Sequence, residues 1–262
     1  MRLDYLFSHL WINNLWKTHM SNTNAELLLP AGNFEKLKYA FAYGADAVYA
    51  GVPRYSLRTR ENDFRKESLV EAINYTHELD KKLYLTMNIY AHNSKIKGFM
   101  DEMERMLQYG PDAMIMSDPG LINLARKEFP ELDIHLSTQA NCTNWASADF
   151  WRDQGVTRII LSRELGLKEI AEIHEKVPDV ELEAFVHGAI CIAYSGRCLI
   201  TNYMNNMDAN QGTCTNSCRW GYSFGQKSSS LLELESEEII QIQEPYQSPG
   251  EGFFLEEPKR PG

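Results

Sequence analysis

The chain has 262 residues, of which 44% are hydrophobic and 24% are charged, and this ordinary globular composition excludes wholesale disorder. No apolar run reaches the roughly eighteen residues of a membrane-spanning helix, so no span is expected. The net charge of −10 excludes binding to nucleic acid through bulk charge alone. Five cysteines are too few for a disulfide scaffold, and four of them lie within 28 residues.

The two ends of the chain differ in composition from its middle. Residues 1–24 are interpreted as an N-terminal extension, disordered or helical, because apolar residues recur there at roughly helical spacing. Residues 225–262 carry eight acidic residues and four prolines, and they are interpreted as an acidic tail that begins a missing C-terminal segment. The predicted folded domain therefore covers residues 25–224.

Short apolar runs alternate with amphipathic segments along this domain. Such alternation is typical of βα units around a parallel sheet. We predict an α/β fold, a TIM-like (β/α) barrel that is incomplete with about seven strands and is followed by a cysteine-rich cluster loop. An open doubly wound sheet is the alternative, but no G-x-G-x-x-G follows the first strand. The predicted strands are 27–30, 47–51, 83–89, 112–117, 133–138, 158–162 and 180–187, and the predicted helices are 33–43, 67–79, 95–109, 119–129, 143–153 and 166–177.

Polar side chains follow five successive predicted strands. In a barrel the carboxyl ends of the strands form the active-site face, which favours the barrel over the open sheet. Gln139 and Asn141 follow the fifth strand, and Arg163 follows the sixth. Glu183 and His187 lie on the seventh predicted strand, and alternation with a period of two places them on one face.

The clustered cysteines are the strongest chemical signal. Cys191, Cys198, Cys214 and Cys218 have the spacing C-x6-C-x15-C-x3-C. Four thiolates can hold an iron–sulfur cluster, and the surrounding Gly, Asn, Ser and Thr can donate hydrogen bonds to its sulfur atoms. Structural zinc is a second possibility, although the six-residue gap is longer than a zinc knuckle. Two disulfides are a third, and Cys142 is interpreted as a small core residue.

A hydrolase has less support from the residues. A cysteine nucleophile needs a nearby histidine, and His187 precedes Cys191 by four residues. Three further cysteines have no place in that mechanism, and no G-x-S-x-G elbow is present for a serine nucleophile.

The stretch EAFVHGAICIAYSGRCLIT resembles the signature of the peptidase U32 family, E-x-F-x-x-G-[SA]-[LIVM]-C-x4-G-x-C-x-[LIVM]-S. Each fixed position matches except the last, where Thr201 replaces Ser and keeps the hydroxyl. ELLLPAGNFEKLKYAFAYGADAVYAG and HLSTQANCTN are also similar to the family, and the resemblance covers about residues 25–224. AYSGRCL, NQGTCTNSCRW and LRTRENDF are similar to the members that hydroxylate tRNA.

The resemblance implies prephenate-dependent formation of 5-hydroxyuridine at the wobble position of tRNA by a cytoplasmic enzyme. It implies a 4Fe–4S cluster on the four clustered cysteines, with Glu183 and His187 beside it as catalytic candidates. Substrate-binding candidates are Arg58, Arg60, Arg163, Gln139 and Asn141, since arginine forks suit the carboxylates of prephenate and tRNA phosphates. The expected partners are tRNA, prephenate and an accessory protein or the missing C-terminal domain, with no membrane. A collagenase-like peptidase and a zinc-stabilised scaffold remain the alternatives.

Overall fold

The computed structural model describes residues 25–57, 63–188 and 191–220, together with strands Ser223–Gln226 and Phe253–Glu256. The predicted extension 1–24 lies outside the described residues. So do Arg58, Arg60 and most of the predicted acidic tail.

Seven parallel strands form one sheet in which neighbours in sequence are neighbours in space, in the order β1 to β7. Helices α1 to α6 connect them, and every predicted strand and helix is confirmed with ends that differ by a few residues. The elements are β1 Leu28–Pro30, α1 Phe34–Ala42, β2 Ala47–Gly51, α2 Lys66–Glu78, β3 Lys82–Met87, α3 Asn93–Leu107, β4 Ala113–Met116, α4 Pro119–Glu128, β5 Ile134–Leu136, α5 Trp145–Asp153, β6 Arg158–Ile160, α6 Leu167–Lys176 and β7 Glu181–Glu183.

Local sequence explains where several helices begin and end. The side chain of Asn33 accepts a hydrogen bond from Lys36 N at 2.8 Å, which caps α1. Asp118 caps α4 by accepting from the amides of Gly120 and Leu121, and Pro119 takes the first helical position. Gly44 follows α1 with φ +94°, a left-handed conformation that suits glycine.

The two faces of the sheet have different cores. The outer face packs against the helices through a large apolar cluster that includes Val48, Leu85, Met114 and Ile159. The inner face carries a smaller apolar group of Ala47, Tyr84, Ala113, Ile115 and Ile160. Side chains alternate between the two faces along each strand, as a period of two requires.

A polar network on the inner face shows that the sheet curls. Arg158 on β6 contacts Glu26, which precedes β1, with 2.5 Å between Nη1 and Oε1. The hydroxyl of Tyr84 on β3 donates to the same carboxylate at 3.0 Å. Elements from opposite ends of the strand order therefore meet inside the curve, and the fold is the predicted incomplete TIM-like barrel.

The region after β7 is built from short elements. It contains α7 (Ile200–Asn205) and 3₁₀ turns at Ala209–Gln211 and Ser217–Arg219. Strand β8 (Ser223–Gln226) crosses residue 225, the predicted start of the tail, and pairs antiparallel with β9 (Phe253–Glu256). Among the described helices, none combines the length and apolar character needed to cross a membrane.

Candidate functional site

Polar side chains join the carboxyl ends of the central strands to one another. The amide of Asn88 donates to Ser137 Oγ at 3.1 Å, and Ser117 Oγ donates to Asn88 O at 3.1 Å. The amide of Asn141 donates to Ser162 Oγ at 3.2 Å. These contacts link the loops after β3, β4, β5 and β6, so this edge of the barrel is a connected surface.

Residues 191–220, which we name the cysteine segment, are held on this edge by hydrogen bonds with two loops. After β3, Tyr90 N donates to Asn210 O at 3.0 Å, and after β6 the carboxylate of Glu164 accepts from Ser195 N at 3.0 Å. The Tyr90 hydroxyl also donates to Gln139 O at 2.7 Å, after β5. Burial raises the pKa of Tyr90. The negative charge of Asp118 raises this pKa further, whereas the positive charge of Arg197 lowers it.

Gly196 is the closest point of approach between the segment and the barrel. A Cβ at this position would lie 2.1 Å from Gln139 O and 3.3 Å from a ring carbon of Tyr90. Its φ of +72° also lies in the left-handed region. Both the space and the backbone therefore require glycine here.

The cysteine segment has a polar interior of its own. Asn205 donates to the hydroxyls of Thr215 and Ser217, both at 3.1 Å, and Thr215 contacts Thr201 Oγ1 at 3.4 Å. Asn210 Nδ2 donates to Cys198 O at 3.2 Å. Hydroxyl and amide groups, rather than an apolar core, fix the backbone that carries the thiols.

The other three thiols of the segment act electrostatically on Cys218. Burial raises the pKa of Cys218, and the charges of Cys191, Cys214 and Cys198 raise it further, while Arg219 lowers it. All four cysteines are free, with Cys191 and Cys218 exposed and the other two partly exposed. In the described parts of the chain, no three metal-binding side chains are close enough as placed to enclose an ion.

This donor set fits a thiolate-bound metal group in number and chemistry. Like-charged thiolates destabilise one another, and a bound cation or cluster would relieve that repulsion. Both a four-iron cluster and zinc accept four thiolates. Cys142 does not belong to the set: it is 1% exposed, and burial raises its pKa to about 11, as the prediction of a core residue requires.

Glu183 and His187 are placed differently from each other. The predicted strand 180–187 was too long, because β7 ends at Glu183 and His187 lies exposed beyond it. Strand alternation therefore does not relate the two side chains. Glu183 faces the barrel interior, 3.8 Å from Arg158 Nη1, and its Oε2 is buried without a hydrogen-bond partner. Burial raises the pKa of Glu183 to about 7. The positive charge of Arg158 acts to lower this pKa, and the negative charge of Glu26 acts to raise it.

The described substrate-binding candidates lie on the same edge as the cysteine segment. The guanidinium of Arg163 stacks over the ring of Phe185, 4.3 Å from its centroid. Gln139 contributes its backbone carbonyl to Tyr90, and Asn141 uses its side chain to hold Ser162. The structure thus gives Gln139 and Asn141 positioning contacts, whereas Arg163 presents a charge.

Sequence reasoning missed four residues that hold or accompany the cysteine segment. They are Tyr90 and Glu164, which contact the segment from barrel loops, and Arg197 and Asn210, which lie within it. The position of Arg197 between Cys191 and Cys198 was an available signal. For Tyr90 and Asn210 the sequence offers no spacing that would reveal the contact.

Comparison with known proteins identifies the family. The model of "Peptidase family U32" matches residues 32–256. The chain is 54% identical to "tRNA hydroxylation protein P" of Escherichia coli K12 over 245 residues, which cover 90% of this chain and 54% of that protein. It is 60% identical to the protein of that name from Haemophilus influenzae over 197 residues, which cover 75% of this chain and 43% of that protein.

A solved structure agrees with the fold. The U32 peptidase Mk0906 superposes with a TM-score of 0.56 at 16% identity, covering 66% of this chain and 73% of that one. The chain spans about half the length of the curated relatives that it matches. Because the family model matches most of the chain, the chain belongs to peptidase family U32.

Proposed function

We propose that this chain is the barrel portion of a tRNA-hydroxylating enzyme. The proposed reaction is prephenate-dependent conversion of the wobble uridine to 5-hydroxyuridine, with a 4Fe–4S cluster on Cys191, Cys198, Cys214 and Cys218. The observation that carries the proposal is the position of these thiols. They lie on a segment held against the carboxyl ends of the strands, where barrel enzymes have their active sites.

The relatives support the choice of substrate. Two proteins named for tRNA hydroxylation are 54% and 60% identical to this chain over 90% and 75% of its length. The peptidase in the family name has no comparable support from the residues, since four mutually interacting thiols exceed what a nucleophile needs. A tRNA substrate places the enzyme in the cytoplasm, and the longer relatives leave room for a further RNA-binding domain or an accessory protein.

The residues of the chain would have different roles in the proposed reaction. The four cysteines would hold the cluster, which supplies one-electron redox chemistry when bound. Arg163 presents a guanidinium suited to a carboxylate of prephenate or a phosphate of tRNA. Tyr90, Glu164 and Gly196 act indirectly, because they hold the cysteine segment in place.

Metal analysis after anaerobic purification tests the cofactor. We expect about four iron and about four acid-labile sulfide per chain. Cys191→Ala and Cys214→Ala should lose both, whereas the matched control Cys142→Ala, which alters a buried thiol outside the set, should keep both. Zinc without sulfide would overturn the cluster and favour the zinc-stabilised alternative.

Nucleoside mass spectrometry tests the reaction. tRNA from anaerobic cells that lack the gene should contain no 5-hydroxyuridine derivatives, and a copy encoding Cys191→Ala should fail to restore them. Unchanged 5-hydroxyuridine in the deletion strain would refute tRNA hydroxylation. Cleavage of a protein substrate that survives removal of iron, but is lost in Cys191→Ser, would instead establish the peptidase.

A further inference from the structure

Aromatic side chains are exposed beside the thiols. Tyr194 is 62% exposed and lies between Cys191 and Cys198, and Phe185 is 41% exposed just after β7. Phe185 lies on the connected edge described above, because Arg163 stacks on its ring. Tyr194 lies at the same edge, because the amide of the next residue, Ser195, donates a hydrogen bond to Glu164. Both rings are therefore available for contact with a ligand at the candidate active site.

Arginines accompany these rings. The guanidinium of Arg163 lies over the Phe185 ring, 4.3 Å from its centre. Arg197 is exposed, its amide donates to Tyr194 O at 3.0 Å, and its charge acts on Tyr90. We name Arg163, Phe185, Tyr194 and Arg197 the stacking platform.

The stretch that carries Phe185, Tyr194 and Arg197 is less acidic than the chain as a whole, although Glu164 contacts it through Ser195. Residues 184–220 contain two arginines and one aspartate, in a protein whose net charge is −10. No lysine occurs between Lys176 and Lys227, so every fixed positive charge of this stretch is a guanidinium. Guanidinium groups bind phosphate through paired donors and also stack on planar rings.

We propose that the stacking platform binds one unpaired nucleobase of an RNA loop and its phosphate beside the four thiols. Phe185, covered by Arg163, and Tyr194 would stack on the base, and Arg197 would pair with the phosphate. Single-stranded RNA satisfies both features of the surface, because it presents flat rings on a negatively charged chain, and the proposed function selects RNA over single-stranded DNA. This inference rests on the proposed function and names the surface that recognises the substrate.

Binding of a fluorescein-labelled hairpin RNA, followed by anisotropy with the whole chain, tests the stacking. One hairpin carries uridine in its loop, and a second carries an abasic site at that position. Phe185→Leu and Tyr194→Leu should each weaken binding of the uridine hairpin at least about fivefold. Phe185→Tyr should retain affinity, and Phe150→Leu, which alters a 52% exposed ring on α5, is the matched control and should bind as the wild type does.

The abasic hairpin separates stacking from a general structural effect. With no base to stack, the leucine variants and the wild type should bind it equally. Arg197→Gln should lower the slope of log affinity against log salt by about one, whereas the control Arg105→Gln on α3 should leave it unchanged.

Equal binding of the uridine hairpin by the wild type and the leucine variants would overturn the inference. So would a loss of affinity for the abasic hairpin equal to the loss for the uridine hairpin. A third contrary result is weakened self-association of the variants without a change in RNA affinity. The last would assign the surface to a second copy of the chain. Failure of the proposed function is a different result, because RNA binding is measured without turnover and 5-hydroxyuridine is measured in cells.

Discussion

Replacement of Glu183 by glutamine should change the pH dependence of stability in a defined direction. Glu183 faces the barrel interior, its side chain is 20% exposed, and its Oε2 has no hydrogen-bond partner. Burial outweighs the attraction of Arg158, 3.8 Å away, and raises the pKa of Glu183 from 4.5 to about 7. Glutamine has the same shape without the ionisation.

The sign and size follow from linkage between proton binding and folding. A carboxyl group whose pKa is higher in the folded state contributes stability that is fully present below pH 4.5 and is lost as pH rises through about 7. At about 1.4 kcal/mol per pKa unit, the loss amounts to about 3 kcal/mol. The free energy of unfolding of the wild type should therefore fall relative to that of Glu183→Gln across this window.

Urea denaturation of both proteins between about pH 4 and pH 8.5 measures this difference, because titrations shared by the two proteins cancel. A difference that stays constant with pH would refute the reasoning. Asp133→Asn provides a contrast of opposite sign. The interaction with His135, whose Nε2 lies 3.7 Å from Oδ2, lowers the pKa of Asp133 from 3.8 to about 2 against the effect of burial, so its contribution is present at neutral pH and is lost only in acid.

Other substitutions test the packing that supports the site. Gly196→Ala should lower both the melting temperature and the iron content, because its Cβ would meet Gln139 O. The control Gly44→Ala shares a left-handed backbone but has no atom within 4 Å, so it should keep the iron. Asp118→Ala should cost about 0.5–2 kcal/mol in urea denaturation through loss of the α4 cap, and near-zero cost would contradict the cap. Phe99→Ala, at a fully buried position, should cost about 3–5 kcal/mol in the same assay, and a cost below about 1 kcal/mol would show that the site is not packed as described.

The strands and helices could be predicted because their signals are local. Buried parallel strands are short continuous apolar runs, and AVYAG is confirmed as β2 without any change of bounds. The caps of α1 and α4 are likewise encoded by Asn33 and by the Asp118–Pro119 pair. These features need no knowledge of distant residues.

Contacts between distant residues could not be predicted in the same way. The seventh strand was predicted to reach His187 because the apolar run continues, but pairing with β6 stops at Glu183. Glu26, which accepts a hydrogen bond from Arg158, lies 132 residues away from it in sequence. The contact of Tyr90 with Gln139 spans 49 residues and joins the loops after β3 and β5. The four cysteines could be recognised as a set from the sequence, but the residues that hold their segment against the barrel could not be recognised.

The order of the elements explains why the cysteines need no compact spacing. Strand β7 ends at Glu183, so the chain leaves the sheet at the edge where the other strands also end. Only seven residues separate Glu183 from Cys191, and the contacts of Ser195 and Gly196 with the barrel follow at once. The barrel therefore fixes the segment between the first two thiols, and Asn210 fixes the backbone at Cys198. A zinc knuckle is built from local turns, whereas here the strand ends hold the cysteine segment, so the six-residue gap between Cys191 and Cys198 can carry Tyr194 and Arg197 of the stacking platform.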